Sequence, residues 1–473
     1  MENELWQPVE EEFEGADFGD ERLTQRLMTL VKALDGAPQS SLARSSKTIA
    51  AREAAYRFVE NERVGIDAML APHRAATVER CREAGTVYVV SDTTEFSFSG
   101  AVRGKGLGRT QGGGRGFLGH VAIAVSADGS RKPLGVLGIN TILRSDTKVT
   151  DRSERQKQGL ERESSKWGKL VEQVEVELNG VPAIHVMDRE ADIYELLSGM
   201  VSGRRRFVIR ASQDRLLEGD EKLFGALPGA PVLLEREVKL SPRLKPRARA
   251  KGKGRGLPAR HGRAARLTVS CRRVTIRRPQ RCESSHPDSL ELNVVHVYEP
   301  SPPADQVPVE WILVTSEPIE TAQQAAAVVD AYRARWLIEE YFKALKSGCS
   351  YEARELRSVH TLTNMLGLLA VIAWRLLLLR ALEREAPETP AAEVIDATLL
   401  EALAARLKHI KEPKPLPINP TVADVMKAIA RLAGHHKSNG PPGWALLWHG
   451  LQDWLSYAAG FIAGKFHISC DHS

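Results

Sequence analysis

The sequence is poor in cysteine, and no two cysteines stand in a C-x-x-C spacing. The five are scattered along the chain: Cys81, Cys271, Cys282, Cys349 and Cys470. This pattern argues against a zinc module and against a disulfide framework. A reducing compartment is therefore the simpler expectation.

The sequence also lacks a segment suited to export or to crossing a membrane. Its first fifteen residues, MENELWQPVEEEFEG, are acidic and contain no apolar run of the kind found in secretory signals. The most apolar stretch, Met365 to Leu379, contains Arg375 and is shorter than the ~20 residues that a spanning helix needs. We expect a buried helix there, no membrane partner and a cytoplasmic protein.

What the sequence does contain is enough apolar material for a large core, with a basic charge balance. It has 473 residues, 42% of them hydrophobic and 27% charged, which suits a soluble protein of two or three domains. The net charge of +6 and the pI near 9.0 favour an anionic partner.

The glycine-rich segment at 104–116 lacks the G-K-[ST] ending of a phosphate-binding loop, so we interpret it as a basic hairpin.

The order of the elements predicts an α/β fold. Residues 1–85 have helical periodicity, and three strands in meander order follow from residue 86. Helix–strand units come next, with strands at 181–188 and 206–212. Together these predict a ribonuclease-H-like mixed sheet, flanked by helical domains at 1–85 and 349–473.

A β-rich insertion interrupts the catalytic domain, which we place at 86–348. It covers about 213–308 and contains three strand-like segments. Between the first two strands lies a strongly basic run at 241–263. It is either a disordered loop or an electrostatic contact to a phosphate backbone without sequence specificity.

The most informative stretch is TAQQAAAVVDAYRARWLIEEYFKALK, residues 321–346. Thr321 and Gln324 form a capping-box pair, and Gly348 stands where a left-handed residue would close the last turn of one long helix. Polar side chains recur along it at steps of three and four residues, which places them on one helix face. These are Tyr332, Arg335, Glu339, Lys343 and Lys346.

Two apolar strands lead directly into aspartates, Asp92 after TVYVVS and Asp188 after PAIHVM. A buried, unpaired carboxylate is costly, so a purely structural strand would rarely end this way. At one edge of a sheet, these aspartates and Glu339 could share divalent metal ions. Oxygen ligands of this kind suit Mg²⁺ or Mn²⁺, and two such ions can promote phosphodiester displacement.

At these residues the sequence resembles a known family, the DDE transposases of bacterial insertion sequences with a Y-x2-R-x3-E-x6-K signature. Tyr332, Arg335, Glu339 and Lys346 match the signature, while SDTTEFSF and MDREADIYELL resemble the segments around the family's two aspartates. The resemblance extends from FGDERLTQRL at residue 18 to GWALLWHGLQDWL near the C-terminus.

The resemblance implies a cut-and-paste enzyme that cleaves transposon ends through a hairpin intermediate and joins them to target DNA. It implies that Asp92, Asp188 and Glu339 are catalytic and hold two Mg²⁺ ions, for which Mn²⁺ substitutes. The N-terminal domain would bind the double-stranded transposon ends, and the C-terminal helices would hold a homodimer in a nucleoid-associated synaptic complex. The implied DNA contacts are Tyr332, Arg335, Lys343, Lys346, Arg210 and Trp311.

Some alternatives stay open at this point. Trp311 falls where the family stacks an extruded base, but it would also suit the buried face of a strand. Tyr194 stands where the family pattern has histidine, which puts contacts near Asp188 in doubt. A nuclease that cuts without joining, or a binding-only inhibitor of transposition, would share much of this sequence.

Overall fold

The computed structural model describes residues 7–46, 48–98, 106–145, 163–240, 262–304, 306–385, 387–436 and 442–470. The basic run predicted at 241–263 lies outside these residues except for its last two positions. Within these residues, ten strands form a single sheet. They are β1 (Val87–Phe98), β2 (Gly108–Arg109), β3 (Arg115–Ser126), β4 (Pro133–Ile142), β5 (Ala183–Met187), β6 (Arg206–Arg210), β7 (Val232–Leu240), β8 (Arg263–Arg277), β9 (Ser289–Tyr298) and β10 (Glu310–Thr315).

The strands follow the order β4-β3-β1-β5-β6-β10-β9-β8-β7, with the short β2 also paired to β3. Strands β1, β5 and β6 are mutually parallel, and every other pairing is antiparallel. The predicted α/β class with a large mixed sheet is confirmed. The strands of the predicted insertion extend this same sheet, because β10 is paired along its whole length with β9.

Twelve α-helices occur in the described part of the chain, together with short 3-10 turns. They are α1 (Glu21–Asp35), α2 (Leu42–Ser45), α3 (Ile49–Glu60), α4 (Ile66–Ala84), α5 (Lys166–Leu178), α6 (Tyr194–Ser202), α7 (Ala322–Ala334), α8 (Trp336–Lys343), α9 (Val359–Glu385), α10 (Ala397–His409), α11 (Val422–Leu432) and α12 (Trp444–Cys470).

Strand β1 is covered on both faces, which explains its continuous apolar run. Val87 and Val89 pack into one apolar cluster with α4 and α5, whereas Tyr88 and Val90 pack into the main core. Alternate side chains of a strand point to opposite faces, so both sets must be apolar when both faces are buried. The sheet centre is thereby fixed between two helical layers.

The single long helix predicted over residues 321–346 is wrong, because the chain forms two helices and a π turn. The capping box of Thr321 and Gln324 is present, but α7 ends before Arg335 and α8 begins after it. The π turn covers Ala344–Gly348, and the left-handed residue beyond it is Ser350, with a φ of 49°. Gly348 instead allows close packing, since a Cβ there would lie 2.8 Å from a methyl carbon of Leu376.

Helix α9 is apolar and long enough to cross a membrane, yet 94% of its most apolar window is buried inside the protein. The prediction of a buried helix is therefore confirmed. Asn364 in α9 donates to the carbonyls of Val59 and Val64, at 3.0 and 2.9 Å. The domain boundaries at 85 and 349 stay predictions, but helices from beyond both of them share one core with α9.

Candidate active site

The sheet brings Asp92 and Asp188 to adjacent positions. Strands β1 and β5 run parallel, and their last pair is Ser91 with Met187. Asp92 and Asp188 are the residues that come next in the chain. Asp92 does not end its strand, as the sequence had suggested, since β1 continues to Phe98. Asp188 does follow directly after β5, as predicted.

Backbone amides orient both aspartates. The Thr93 N–H donates to Oδ1 of Asp92 at 2.7 Å. Asp188 caps a 3-10 turn at Arg189–Ala191, where its Oδ1 accepts from the Glu190 N–H at 2.7 Å. In both aspartates, the backbone amide therefore bonds Oδ1 and not Oδ2.

Helix α8 brings Glu339 to the same place through Arg335. The Arg335 guanidinium donates from Nη1 to Oδ2 of Asp92 at 3.2 Å and from Nη2 to Oε1 of Glu339 at 2.6 Å. All three side chains are largely buried, with 14%, 17% and 21% of Arg335, Asp92 and Glu339 exposed. Arg335 thus lies between two of the three predicted carboxylates.

The site carries excess negative charge. Burial and the charges of Asp188 and Glu339 raise the pKa of Asp92 to about 7, although Arg335 and the Thr93 amide oppose that rise. A cation bound beside Asp92 would stabilise its ionised form, because the cation offsets the repulsion between the carboxylates.

The donor set fits a hard divalent cation, because Asp92, Asp188 and Glu339 offer only oxygen ligands. Among the described residues, no three acidic, histidine or cysteine side chains already stand close enough together to hold a metal ion. Arg335 occupies the position between Asp92 and Glu339. A cation shared by Asp92 and Glu339 would therefore compete with Arg335 for these carboxylate oxygens.

The two predicted lysine contacts lie in different surroundings. Lys346 donates at 2.6 Å to the carbonyl oxygen of Glu95, which lies three residues beyond Asp92 on β1, and its ammonium stands 3.8 Å from Glu352. Lys343 pairs with Glu340 at 2.6 Å instead. Its ammonium also lies 5.4 Å from the ring centre of Trp336, so the Lys343 side chain is directed toward Glu340 and Trp336.

Trp311 and Tyr332 meet beside an apolar cavity. Their rings are 5.3 Å apart in an edge-on arrangement, joining β10 to α7. Trp311 is half-buried and lines a cavity of about 380 Å³ between the insertion strands and α7. Arg236 and Arg333 line the same cavity, whose remaining walls are mostly valine and leucine.

Arg210 lies near the level of Asp188. Met187 of β5 pairs with Ile209 of β6, so Arg210 and Asp188 each follow that pair directly. The Arg210 side chain donates to the Glu310 carbonyl at 3.0 Å. Its position therefore agrees with the predicted neighbourhood, while its contact is with β10.

Sequence reasoning missed a buried group behind Asp92. The hydroxyl of Thr93 bonds Nδ1 of His120 at 2.9 Å, and the His120 ring packs edge-on against Trp167 at 4.5 Å. Burial and the nearby charge of Lys166 lower the pKa of His120 to about 3, which keeps the ring neutral. A polar residue within the apolar run HVAIAV was the available signal.

The loop after Asp188 is held by a second group that sequence reasoning missed. Asp192 is buried and bonds the guanidinium of Arg215, with its Oδ1 3.0 Å from the arginine Nε. It also accepts from the amides of Ser212 and Gln213, at 2.7 and 2.8 Å.

Tyr194, the departure from the family pattern, is buried and donates to the Pro287 carbonyl at 2.8 Å.

Two family models match the chain, and together they cover more than half of it. A transposase DNA-binding model matches residues 6–64, and a transposase DDE domain model matches residues 158–375. The second match includes Asp188 and Glu339, whereas Asp92 precedes it.

Among solved structures, the chain is similar to a piggyBac transposase in a synaptic complex with hairpin DNA, determined by cryo-EM. The identity is 8% and the TM-score is 0.36, over 94% of this chain and 72% of the other. The two matched family models carry the assignment. The chain belongs to the DDE-type transposases, enzymes that cleave DNA and join it by strand transfer.

Proposed function

We propose that this transposase acts by cut-and-paste, with Asp92, Asp188 and Glu339 as its catalytic carboxylates. The observation that carries the proposal is the meeting of Asp92 and Glu339 on one guanidinium, with Asp188 on the adjacent strand. The central strand order, β4-β3-β1-β5-β6 with three parallel strands, supports a ribonuclease-H-like catalytic core.

DDE transposase domains use divalent metal ions. We propose Mg²⁺ for this chain, with Mn²⁺ as a substitute and two ions in the active state. Asp92, Asp188 and Glu339 would hold them. The ions would supply Lewis-acid stabilisation of the scissile phosphate and a more acidic bound water.

The reaction would comprise four in-line displacements at phosphorus. Water would first free a 3′ hydroxyl, which would attack the opposite strand and close a hairpin. A second water would open the hairpin, and the 3′ end would then attack target DNA. One set of carboxylates can serve all four steps, because each exchanges one oxygen for another at a phosphodiester.

The protein's own cations would hold the DNA strand in place. Arg335, once released from the carboxylates, can donate two parallel bonds to a phosphate. Lys346 lies beside β1, where it would contact the same strand. The Arg335 guanidinium lies 5.7 Å from the centre of the Tyr332 ring, so Tyr332 would help to position it. Arg210 and Lys343 would contact the strand further from the scissile bond.

A hairpin intermediate requires the DNA to bend sharply, and an extruded base needs a binding place. The cavity beside Trp311 supports this step, because its lining is mostly apolar and its volume of about 380 Å³ falls in the usual range of ligand pockets. An aromatic face can stack an unpaired base of any sequence. Arg236 and Arg333 would then neutralise the adjoining phosphates.

We propose that residues 1–85 bind the transposon ends and that the C-terminal helices hold two copies together in the synaptic complex. The match of residues 6–64 to a transposase DNA-binding family supports the first role. The second is tested by the mass of the complex with and without end DNA.

The decisive experiment uses labelled duplexes carrying the ends of the parent element, with Mg²⁺. Wild type should give nicked, hairpin and strand-transfer products. Asp92→Asn, Asp188→Asn and Glu339→Gln should bind the same duplexes yet cleave none. Glu291→Gln, on β9 and paired with Arg273, is the carboxylate control and should retain cleavage.

Three results would contradict the proposal. Cleavage by Glu339→Gln would refute the assigned site. Cleavage by wild type without joined products would favour a nuclease that does not transfer strands. Specific binding of the ends without cleavage by any form would favour a binding-only protein.

A further inference from the structure

A second, smaller cavity lies beside the junction of α7 and α8 and is lined by four arginines. Its volume is about 70 Å³. A single water needs ~10–15 Å³, so there is room for a group with several oxygen atoms. Apart from the arginines, the lining consists of apolar and aromatic side chains and includes no acidic residue. The lining residues are Arg131, Arg333, Trp336, Leu337, Leu377, Arg380, Ala381 and Arg384.

The arginines reach the cavity from three separate parts of the fold. Arg131 lies in the turn between β3 and β4, Arg333 in the last turn of α7, and Arg380 and Arg384 near the end of α9. Arg131 has a φ of 49°, a left-handed conformation that usually selects glycine or asparagine. Backbone preference therefore does not explain an arginine at this turn.

The carboxylates that pair with these arginines lie outside the cavity lining. Asp330 bonds Arg333 at 2.9 Å, and Glu383 bonds Arg380 at 2.7 Å. The Nε of Arg380 is buried without a hydrogen-bond partner. A buried donor left unpaired is costly, and Arg380 lines the cavity, so an anion bound there is a candidate partner for it.

The cavity lies next to the larger cavity beside Trp311 and next to the helix that carries Glu339. Arg333 lines both this cavity and the larger one beside Trp311. Trp336, which is 50% exposed, precedes Glu339 by less than one turn of α8. Lys343 lies over the Trp336 ring and adds a further cation at the rim.

We propose that this arginine cavity binds a phosphate of the DNA backbone beside the cleavage site. Guanidinium groups match phosphate oxygens with paired donors, and several of them can neutralise one anion. The proposal rests on the proposed function, because it needs DNA to pass along α8. The phosphate could belong to the transposon end or to the target duplex.

The test measures how DNA binding depends on salt, in two arms. One arm uses a duplex carrying the transposon end, and the other uses an unrelated duplex added to complexes with pre-cleaved ends. For each arm, log Kobs is plotted against log salt, where one lost phosphate contact reduces the slope by roughly 0.9. Binding is read in Ca²⁺, so cleavage does not enter the measurement.

The variant is Arg384→Gln, and Arg277→Gln is its control. Both arginines are about half-exposed, and each pairs with one acidic side chain, Glu340 or Asp220. Arg384→Gln should reduce the slope in one arm, and that arm identifies the source of the phosphate. Arg277→Gln should leave both slopes at the wild-type value, and Arg384→Lys should keep most of the slope by keeping the charge.

An unchanged slope for Arg384→Gln in both arms would overturn the proposal. Arg131→Gln tests the same cavity from the opposite side, and it should reproduce the change if Arg384→Gln fails to fold. Absence of cleavage by wild type would count against the proposed function alone, since the slopes report only binding.

Discussion

Nη1 of Arg335 lies 3.2 Å from Oδ2 of Asp92, although 243 positions separate the two residues in the chain. The same guanidinium bonds Glu339, so it serves as the counter-ion of two carboxylates that would otherwise repel each other. A divalent cation would compete for the same oxygens. Metal occupancy and release of Arg335 toward DNA should therefore be coupled.

Arg335→Gln tests this coupling through stability. Without its counter-ion, the carboxylate cluster should lower the melting temperature by a few degrees in the absence of divalent ions. Mg²⁺ binds only the folded site, so it should raise the melting temperature of the variant more than that of wild type. Arg57→Gln, which also removes an i,i+4 partner of a glutamate, should respond to Mg²⁺ as wild type does. An equal Mg²⁺ response in all three proteins would refute the coupling.

Trp311→Ala tests the role of the larger cavity. Stacking of one base on an aromatic ring contributes ~1–3 kcal/mol, which corresponds to roughly 5- to 150-fold. Hairpin formation should fall within that range while first-strand nicking changes little, because the base is extruded only after nicking. Trp311→Phe keeps an aromatic face and should retain most of the hairpin product. Equal losses of nicking and hairpin by Trp311→Ala would identify Trp311 as a structural residue.

The sequence predicted the elements that local chemistry determines. The strands read from apolar runs were found, and the capping box at Thr321 starts α7 as expected. The interruption between α7 and α8 at Arg335 could not be predicted from local sequence. No glycine or proline marks it, and the partner that holds Arg335 is Asp92, on a distant strand.

The course of β1 shows the same limit. A charged residue after an apolar run indicated a strand end, since burying a lone carboxylate is costly. Beyond Asp92, however, β1 is only partly buried for several residues. A strand that leaves the core can carry a polar residue and continue, and only its pairing with β3 along the whole length revealed this.

A buried acid–base group joins the N-terminal segment to the sheet and should make stability depend on pH. The Val136 N–H donates to Nε2 of His73 at 3.0 Å, so the proton of the neutral ring is on Nδ1, which donates to Glu12 at 2.5 Å. Burial lowers the pKa of His73 from 6.5, against the opposing charge of Glu12. Burial alone would raise the pKa of Glu12, but His73 and Arg80 outweigh it and lower that pKa from 4.5 to about 2.

Both groups bind protons more readily in the unfolded chain, so acid should destabilise the fold. The contribution of His73 is complete above its unfolded pKa of 6.5 and declines below it. That of Glu12 declines between its unfolded value of 4.5 and about 2. Urea unfolding near pH 7.5 and pH 5.5 brackets the unfolded pKa of His73. Asp92 and His120 also contribute in this interval, so the part due to His73 is read from the difference between wild type and a variant without the ring. His73→Gln, which can keep both hydrogen bonds but does not titrate, should show a smaller loss over this interval. A loss equal to that of wild type would exclude His73 as its source.

Gly135→Ala tests how closely α4 approaches the sheet. A Cβ at residue 135 would lie 1.9 Å from Oγ1 of Thr77, whose hydroxyl is itself bonded to the His73 carbonyl at 2.7 Å. The helix or the strand must then shift, and overpacking of this kind costs ~1–3 kcal/mol of unfolding free energy. Gly168→Ala, in α5 with no atom within 4 Å of the added methyl, is the control and should stabilise the protein by about 0.5–1 kcal/mol.

Thr77→Ala in the Gly135→Ala background separates crowding from a backbone effect at residue 135. It removes the hydroxyl and methyl groups that the new Cβ would meet at 1.9 and 2.7 Å, but leaves the Thr77 Cβ at 2.8 Å. Part of the lost stability should therefore return, measured as a double-mutant cycle in urea. Additive losses from the two substitutions would instead assign the lost stability to the backbone at residue 135, where φ is 154° and an alanine is strained even without a neighbour.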